Sequence, residues 1–165
     1  MVELLFWRHA KTESGHPPLT DRQRQLLPVG RDDAREMGRI LASRGLAPEV
    51  ILCSDAVRAR ETADEALGSL VPEPGRFDLP ELYDAGSGDY LRVIGVYGGS
   101  ARRLMIVGHN PEIESFVSRV AARDIDMKAG ALAVIEADAD HAGEIGSGTA
   151  MELRTVLVPS RLRSS

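Results

Sequence analysis

Cysteine is nearly absent: the 165-residue chain has one, Cys53, which excludes an internal disulfide framework and any multi-cysteine zinc site. Lysine is almost as scarce, with Lys11 and Lys128 alone among 20 basic residues. The rest of the positive charge is arginine, whose planar guanidinium fork suits phosphate. An excess of positive charge is missing too. The 25 acidic residues outnumber the 20 basic ones, for a formal net charge of -5, so the basic stripe of a nucleic-acid binder is not expected. No stretch approaches the roughly 20 apolar residues of a membrane span. The opening run, residues 2–7, is too short for a secretory signal core and lacks a basic flank. The expectation is a soluble, cytoplasmic protein with neither nucleic acid nor membrane as partner; its oligomeric state stays open.

What is present describes an ordinary globule, 43% hydrophobic and 27% charged with a mean hydropathy of -0.15. Its length suits one domain over residues 1–165. Residues 2–7 form a short apolar run, the signature of a buried strand. The stretch 11–30, marked by Gly15, Pro17, Pro18, Pro28 and Gly30, reads as an extended loop. From Arg31 to about Arg44 the positions Ala34, Met37, Gly38 and Leu41 share one helical face, and Gly45 suits the stop. A second strand falls at 50–52, and Ser54 or Asp55 is placed to cap a helix running to about Leu70. Residues 76–86 look irregular, and a weaker helix follows near 88–97. A third strand, 103–107, ends at Gly108-His109, and Ile113, Phe116, Val117 and Val120 then repeat as on a helix face. Two late strands, 131–135 and 153–158, are joined by a Gly/Asp-rich turn region, and 159–165 is expected to be a frayed tail. Strands alternating with helices, then two late strands, predict an α/β three-layer sandwich with a mostly parallel central sheet.

The polar residues are placed tellingly against these strands. Arg8-His9 follow the first strand, Arg58 lies in the first turn of the helix after the second, and His109 follows the third. In an open parallel sheet the carboxyl ends of the strands share one edge, where ligands bind. Any one of these residues alone reads as a surface or capping residue. Together, and with helix-start N–H groups beside them, they describe an anion pocket.

Those same residues carry a resemblance. The segment 5–10, Leu-Phe-Trp-Arg8-His9-Ala10, resembles the RHG/RHA signature of the histidine phosphatase superfamily, the phosphoglycerate mutase-like fold. Residues 53–63, with Ser54, Arg58, Ala59 and Thr62, are similar to its second motif, and Gly108-His109-Asn110-Pro111 to its third. The compact form, with Lys11 after the first motif and Arg24, Leu27 and Gly30 loosely matching a further one, resembles the SixA-type phosphohistidine phosphatases. Ala10 and Asp55 depart from the commoner Gly and Pro at their positions.

The resemblance implies a metal-independent, cofactor-free phosphatase in which His9 is the nucleophile and passes through a phosphohistidine intermediate. Arg8, Arg58 and His109 would bind the phosphoryl oxygens, supplying the positioning and charge stabilisation that phosphoryl transfer needs. Glu81, in Leu79-Pro80-Glu81-Leu82, occupies the place where larger members keep a general acid for an alkoxide leaving group. The 26 residues between Glu81 and Gly108 (82–107) leave no room for a helical lid, which suits a phosphorylated protein, such as a histidine phosphotransfer domain, better than a small phosphomonoester. Two alternatives remain: a metabolite phosphatase with the same mechanism, and a non-catalytic phosphate-binding module.

Other chemistries fail on spacing. A cysteine phosphatase needs five residues between Cys and Arg; Cys53 and Arg58 have four between them, none of them Gly. Asp124-Ile125-Asp126 lacks a preceding apolar strand for an aspartyl-phosphate nucleophile. The Gly-Ser-Gly stretches at 86–88 and 146–148 complete no dinucleotide loop, and no close-spaced His/Asp set suggests a metal.

Overall fold

The computed structural model describes residues 1–163. Along the chain it places strand β1 (Val2–Arg8), helix α1 (Pro28–Ser43), β2 (Val50–Ser54), α2 (Val57–Leu67), β3 (Gly75–Leu79), α3 (Ser87–Tyr97), β4 (Arg103–Gly108), α4 (Glu112–Ala121), β5 (Leu132–Ala137), β6 (Met151–Leu157) and α5 (Ser160–Arg163). The six strands make one sheet in the order β3-β2-β4-β1-β5-β6. The first four are parallel, and β5 and β6 complete the sheet antiparallel to their inner neighbours.

The apolar runs of β1 and β4 are continuous because both faces of the sheet are covered. Alternation then sends neighbouring residues to opposite cores. Val2, Leu4 and Phe6 pack with Tyr90, Ile94, Phe116 and Val117 of α3 and α4. Leu5 and Trp7 pack with Met37 and Leu41 of α1 and with the alanines of α2. Phe6 anchors the first core, stacked on Phe116 at 4.5 Å and edge-on to Tyr90 at 5.4 Å. This is the expected sandwich.

The structure differs from the sequence expectation at four places. Helix α1 begins at Pro28, inside the expected loop, because proline lacks only an N–H that a first helical turn leaves unused. The segment 76–86, expected to be irregular, opens with most of β3 (Gly75–Leu79); as a sheet-edge strand its residues are mostly exposed, so no apolar period announces it. Helix α2 is capped at Ala56 rather than by Ser54 or Asp55, and the Ser54 hydroxyl accepts the Ala56 N–H instead. In place of a frayed end, residues 160–163 form α5, docked on α1. Arg161 makes a two-pronged ion pair with the buried Asp33, and Ser160 binds Glu36 through its N–H and hydroxyl. The rest of that expected tail, residues 164–165, lies outside the described residues.

What matters for function is the carboxyl edge. Strand β4 lies between β1 and β2, so Arg8-His9, Ser54 and Gly108-His109 emerge side by side.

Candidate active site

His9 sits just past β1, its backbone N–H donating to the Gly108 carbonyl at 3.0 Å. Its side chain is only 8% exposed. The ring Nδ1 lies 2.8 Å from the Ala10 carbonyl oxygen. A carbonyl only accepts, so Nδ1 carries the proton and Nε2 carries the lone pair. The Arg58 Nε–H donates toward that lone pair at 3.3 Å. Burial is the largest influence on the ring and drives its pKa down to about 3; the Ala10 carbonyl opposes this, while His109, Arg58 and Arg8 push the same way. At neutral pH the imidazole is uncharged, the form able to attack an electrophile.

The loop holding His9 is fixed from both sides. Thr62 on α2 accepts the Ala10 N–H at 3.1 Å and donates its own hydroxyl to the Arg58 carbonyl at 2.7 Å. One side chain thus ties the His9 loop to the turn of helix that presents Arg58. On the other side Gly130 donates to the His9 carbonyl and accepts from the Trp7 indole, each at 3.0 Å.

His109 closes the pocket, its ring centroid 5.2 Å from that of His9. Its Nε2 lies 2.8 Å from Ser54 Oγ. That oxygen already accepts the Ala56 N–H, so its own proton is available for Nε2. We therefore assign the His109 hydrogen to Nδ1, a buried atom with no partner among the described residues. Burial, then the charge of Arg58, lowers the pKa of His109 to about 4.

Arg58 is 6% exposed, and each of its three nitrogens makes a hydrogen bond. Its two terminal nitrogens donate to the Asp21 carbonyl at 2.7 Å and carboxylate at 3.0 Å. Asp21 opens a short 3-10 turn, Asp21–Gln23, that lies over the site. Its carboxylate also takes hydrogen bonds from Tyr83 and Arg24, and these, with Arg58, hold its pKa well below the usual carboxylate range. Arg22 stacks 4.1 Å over the Tyr83 ring, whose edge meets His109 at 5.5 Å. None of Asp21, Arg22 and Tyr83 is visible as a site residue in the sequence, since each reads there as a solvated loop position.

Arg8 is half-buried. One terminal nitrogen donates to the Met127 carbonyl at 2.9 Å, while Nε is buried without a partner among the described residues. Burial lowers its pKa, against the opposing fields of Glu114 and Asp126. Arg8, His9, Arg58 and His109 therefore converge, as their order along the strands predicts. Glu81 makes no hydrogen bond or ion pair with them among the described residues. It lies in a 3-10 turn (Pro80–Leu82) and pairs with Arg92 on α3 at 3.4 Å. Cys53 is fully buried, and burial pushes its thiol far above the ordinary value, so it is no nucleophile.

The two depressed imidazoles make stability pH-dependent. Both folded pKa values lie below the ordinary 6.5, so the unfolded chain takes up protons first as pH falls. Their contribution is complete above the unfolded value and is lost as pH drops through about 4 and then about 3. The melting temperature is expected to fall between about pH 7 and about pH 5, and to fall less in His9→Ala. Equal slopes in the two proteins would contradict this.

The fold and site together define an α/β protein with arginines and histidines gathered at the carboxyl edge of its parallel strands around a neutral imidazole. Residues 4–78 match the family model described as Histidine phosphatase superfamily (branch 1). A solved structure from Agrobacterium tumefaciens, assigned as the phosphohistidine phosphatase SixA, is similar with a TM-score of 0.80 and 25% identity over 96% of this chain and 98% of that one. The protein histidine phosphatase SixA complexed with tungstate shares the fold with a TM-score of 0.80, at 20% identity over 98% and 100% of the two chains. An uncharacterized chloroplastic protein of Arabidopsis thaliana is 29% identical over 143 residues, 81% of this chain and 66% of the relative. The chain spans 63% to 66% of the length of the curated relatives it matches. Its fold is the phosphoglycerate mutase-like one of the SixA neighbours. Among the described residues no helix is long and apolar enough to cross a membrane.

Proposed function

We propose that the protein is a phosphatase in which His9 Nε2 attacks phosphorus, forms a phosphohistidine, and is regenerated by water. One observation carries this reading: a lone pair on Nε2 of a neutral imidazole that the Arg58 Nε–H meets at 3.3 Å, in a site whose Arg8 Nε and His109 Nδ1 are buried with no partner among the described residues. Buried donors without partners are costly, and phosphoryl oxygens would satisfy both. In attack, Nε2 bonds to phosphorus as the leaving group departs with its electron pair. Arg58 Nε–H, which meets that lone pair in the resting site, would pass to a phosphoryl oxygen. A water then displaces the imidazole and releases inorganic phosphate.

The substrate we favour is phosphohistidine on a protein, with a histidine phosphotransfer domain as one such partner. Three features support it. Only α3 stands between the 3-10 turn at Pro80–Leu82 and β4, so no inserted helices roof the cleft. The Agrobacterium neighbour carries that assignment. Glu81 is paired with Arg92, and an imidazole leaving group needs an acid less than an alkoxide does. Metal independence is part of the proposal, since two arginines and a histidine already supply positive charge and donors to the equatorial oxygens.

The test is phosphate release in excess chelator from a phosphohistidine protein and from a panel of small phosphomonoesters. Release from the phosphoprotein that survives chelation supports the reading. There Glu81→Gln is expected to change the rate by less than about five-fold, below the 10²–10⁴ that general acid catalysis contributes. Faster turnover of a small ester, with a large Glu81→Gln effect, would move the assignment to a metabolite phosphatase. Tight phosphate binding without turnover of anything would leave a binding module.

A further inference from the structure

Arg8 has an unusual environment for a half-buried guanidinium. Its charge lies in the field of Glu114 and Asp126, yet among the described residues neither carboxylate pairs with it directly. Its contact is with a neutral group, the Met127 carbonyl. That carbonyl is held in turn. Asn110, next to His109, donates its side-chain amide to the same oxygen at 2.9 Å. Glu114 on α4 accepts the Met127 N–H at 2.9 Å and, more weakly, the Asn110 amide at 3.4 Å. The Glu114 N–H donates to Asn110 Oδ1 at 3.2 Å, closing the ring of bonds.

We infer that Glu114 is a positioning residue for phosphate binding, acting on Arg8 at one remove through the Met127 residue, whose N–H it holds and whose carbonyl fixes the guanidinium. The geometry gives the reason. A carboxylate paired directly with Arg8 would occupy donors that an incoming phosphoryl group needs, whereas Asp21 takes only the terminal nitrogens of Arg58 and leaves its Nε–H toward His9. Placed behind Met127, Glu114 fixes the loop and balances the buried charge while Arg8 Nε stays unpaired. Because Asn110 follows His109 directly, the same ring of bonds sets the spacing between the two sides of the cleft. This inference rests on the phosphoryl-site reading above.

The experiment is titration of the whole chain with inorganic orthophosphate, by calorimetry. Glu114→Gln, nearly isosteric, is expected to weaken binding about ten-fold, as fits the loss of one charge-assisted bond. Glu114→Asp, which keeps the charge but withdraws the carboxylate from the Met127 N–H, is expected to weaken it similarly. Asp126→Asn, which removes a nearby charge with no part in the chain of bonds, should stay within about two-fold of wild type. In an Arg8→Ala background Glu114→Gln should have almost no further effect, because the route runs through Arg8. A ten-fold loss in both backgrounds, or none in either, overturns the inference while leaving the phosphoryl site intact. Absence of orthophosphate binding to the wild-type chain overturns both.

Discussion

Replacing His9 with alanine is expected to lower phosphate release by roughly 10⁴-fold or more, because the group that forms the covalent intermediate is removed and nothing nearby replaces it. The other candidates in the cleft are unsuitable. His109 Nε2 is engaged with Ser54, and the Cys53 thiol is sealed in the core. The fold is expected to survive, since the His9 side chain contributes one hydrogen bond to its neighbour Ala10 and accepts one from Arg58. Orthophosphate binding should survive too, held by Arg8, Arg58 and His109. A binding module would show the second result without the first, because its wild type would have no turnover to lose. Measuring steady-state release and phosphate affinity on one preparation separates the cases.

Gly30→Ala is expected to damage both stability and activity, against the ordinary helix-stabilising effect of alanine. Gly30 lies in the first turn of α1. A Cβ there would fall 2.2 Å from the Lys11 carbonyl oxygen and 3.0 Å from the Lys11 N. Both are backbone atoms of the loop leaving His9, and the same carbonyl accepts the Leu27 N–H at 2.9 Å. The contact is therefore relieved only by moving α1 or the His9 loop. Overpacking of this kind costs on the order of 1–3 kcal/mol or more, which outweighs the ~1 kcal/mol that alanine gains over glycine in a helix. The same shift would tilt the His9 ring away from Arg58, so turnover should fall further than melting temperature alone explains. Thermal melting with turnover at a permissive temperature checks it; an unchanged or raised melting temperature would refute the packing argument.

Much of this protein is legible in its sequence because chemistry and periodicity coincide at strand ends. Arg8-His9 and Gly108-His109 each close an apolar run, and a parallel sheet necessarily brings such ends together. Arg58 is found by the same logic one helical turn on. Asp21 and Tyr83 are not, because their roles depend on a loop folding back over the cleft, which no local pattern encodes. Thr62 belongs to the quoted second motif, but its two bonds to Ala10 and Arg58 emerge only once α2 is placed against β1. Strand β3 escapes notice because an edge strand with a solvated face has no apolar alternation to display. Helix α5 escapes because what orders it is distant in sequence: Arg161 reaches Asp33, 128 residues away.

The most direct test of the account is to trap the reaction by rapid quench with a labelled phosphodonor and locate the phosphoryl group by peptide mapping and phosphorus NMR. The account predicts label on His9, bonded to Nε2, because Nδ1 is held as a donor by the Ala10 carbonyl. Label on Nδ1, on His109 or on any other residue, or release of phosphate with no covalent intermediate under conditions where it should accumulate, would contradict it.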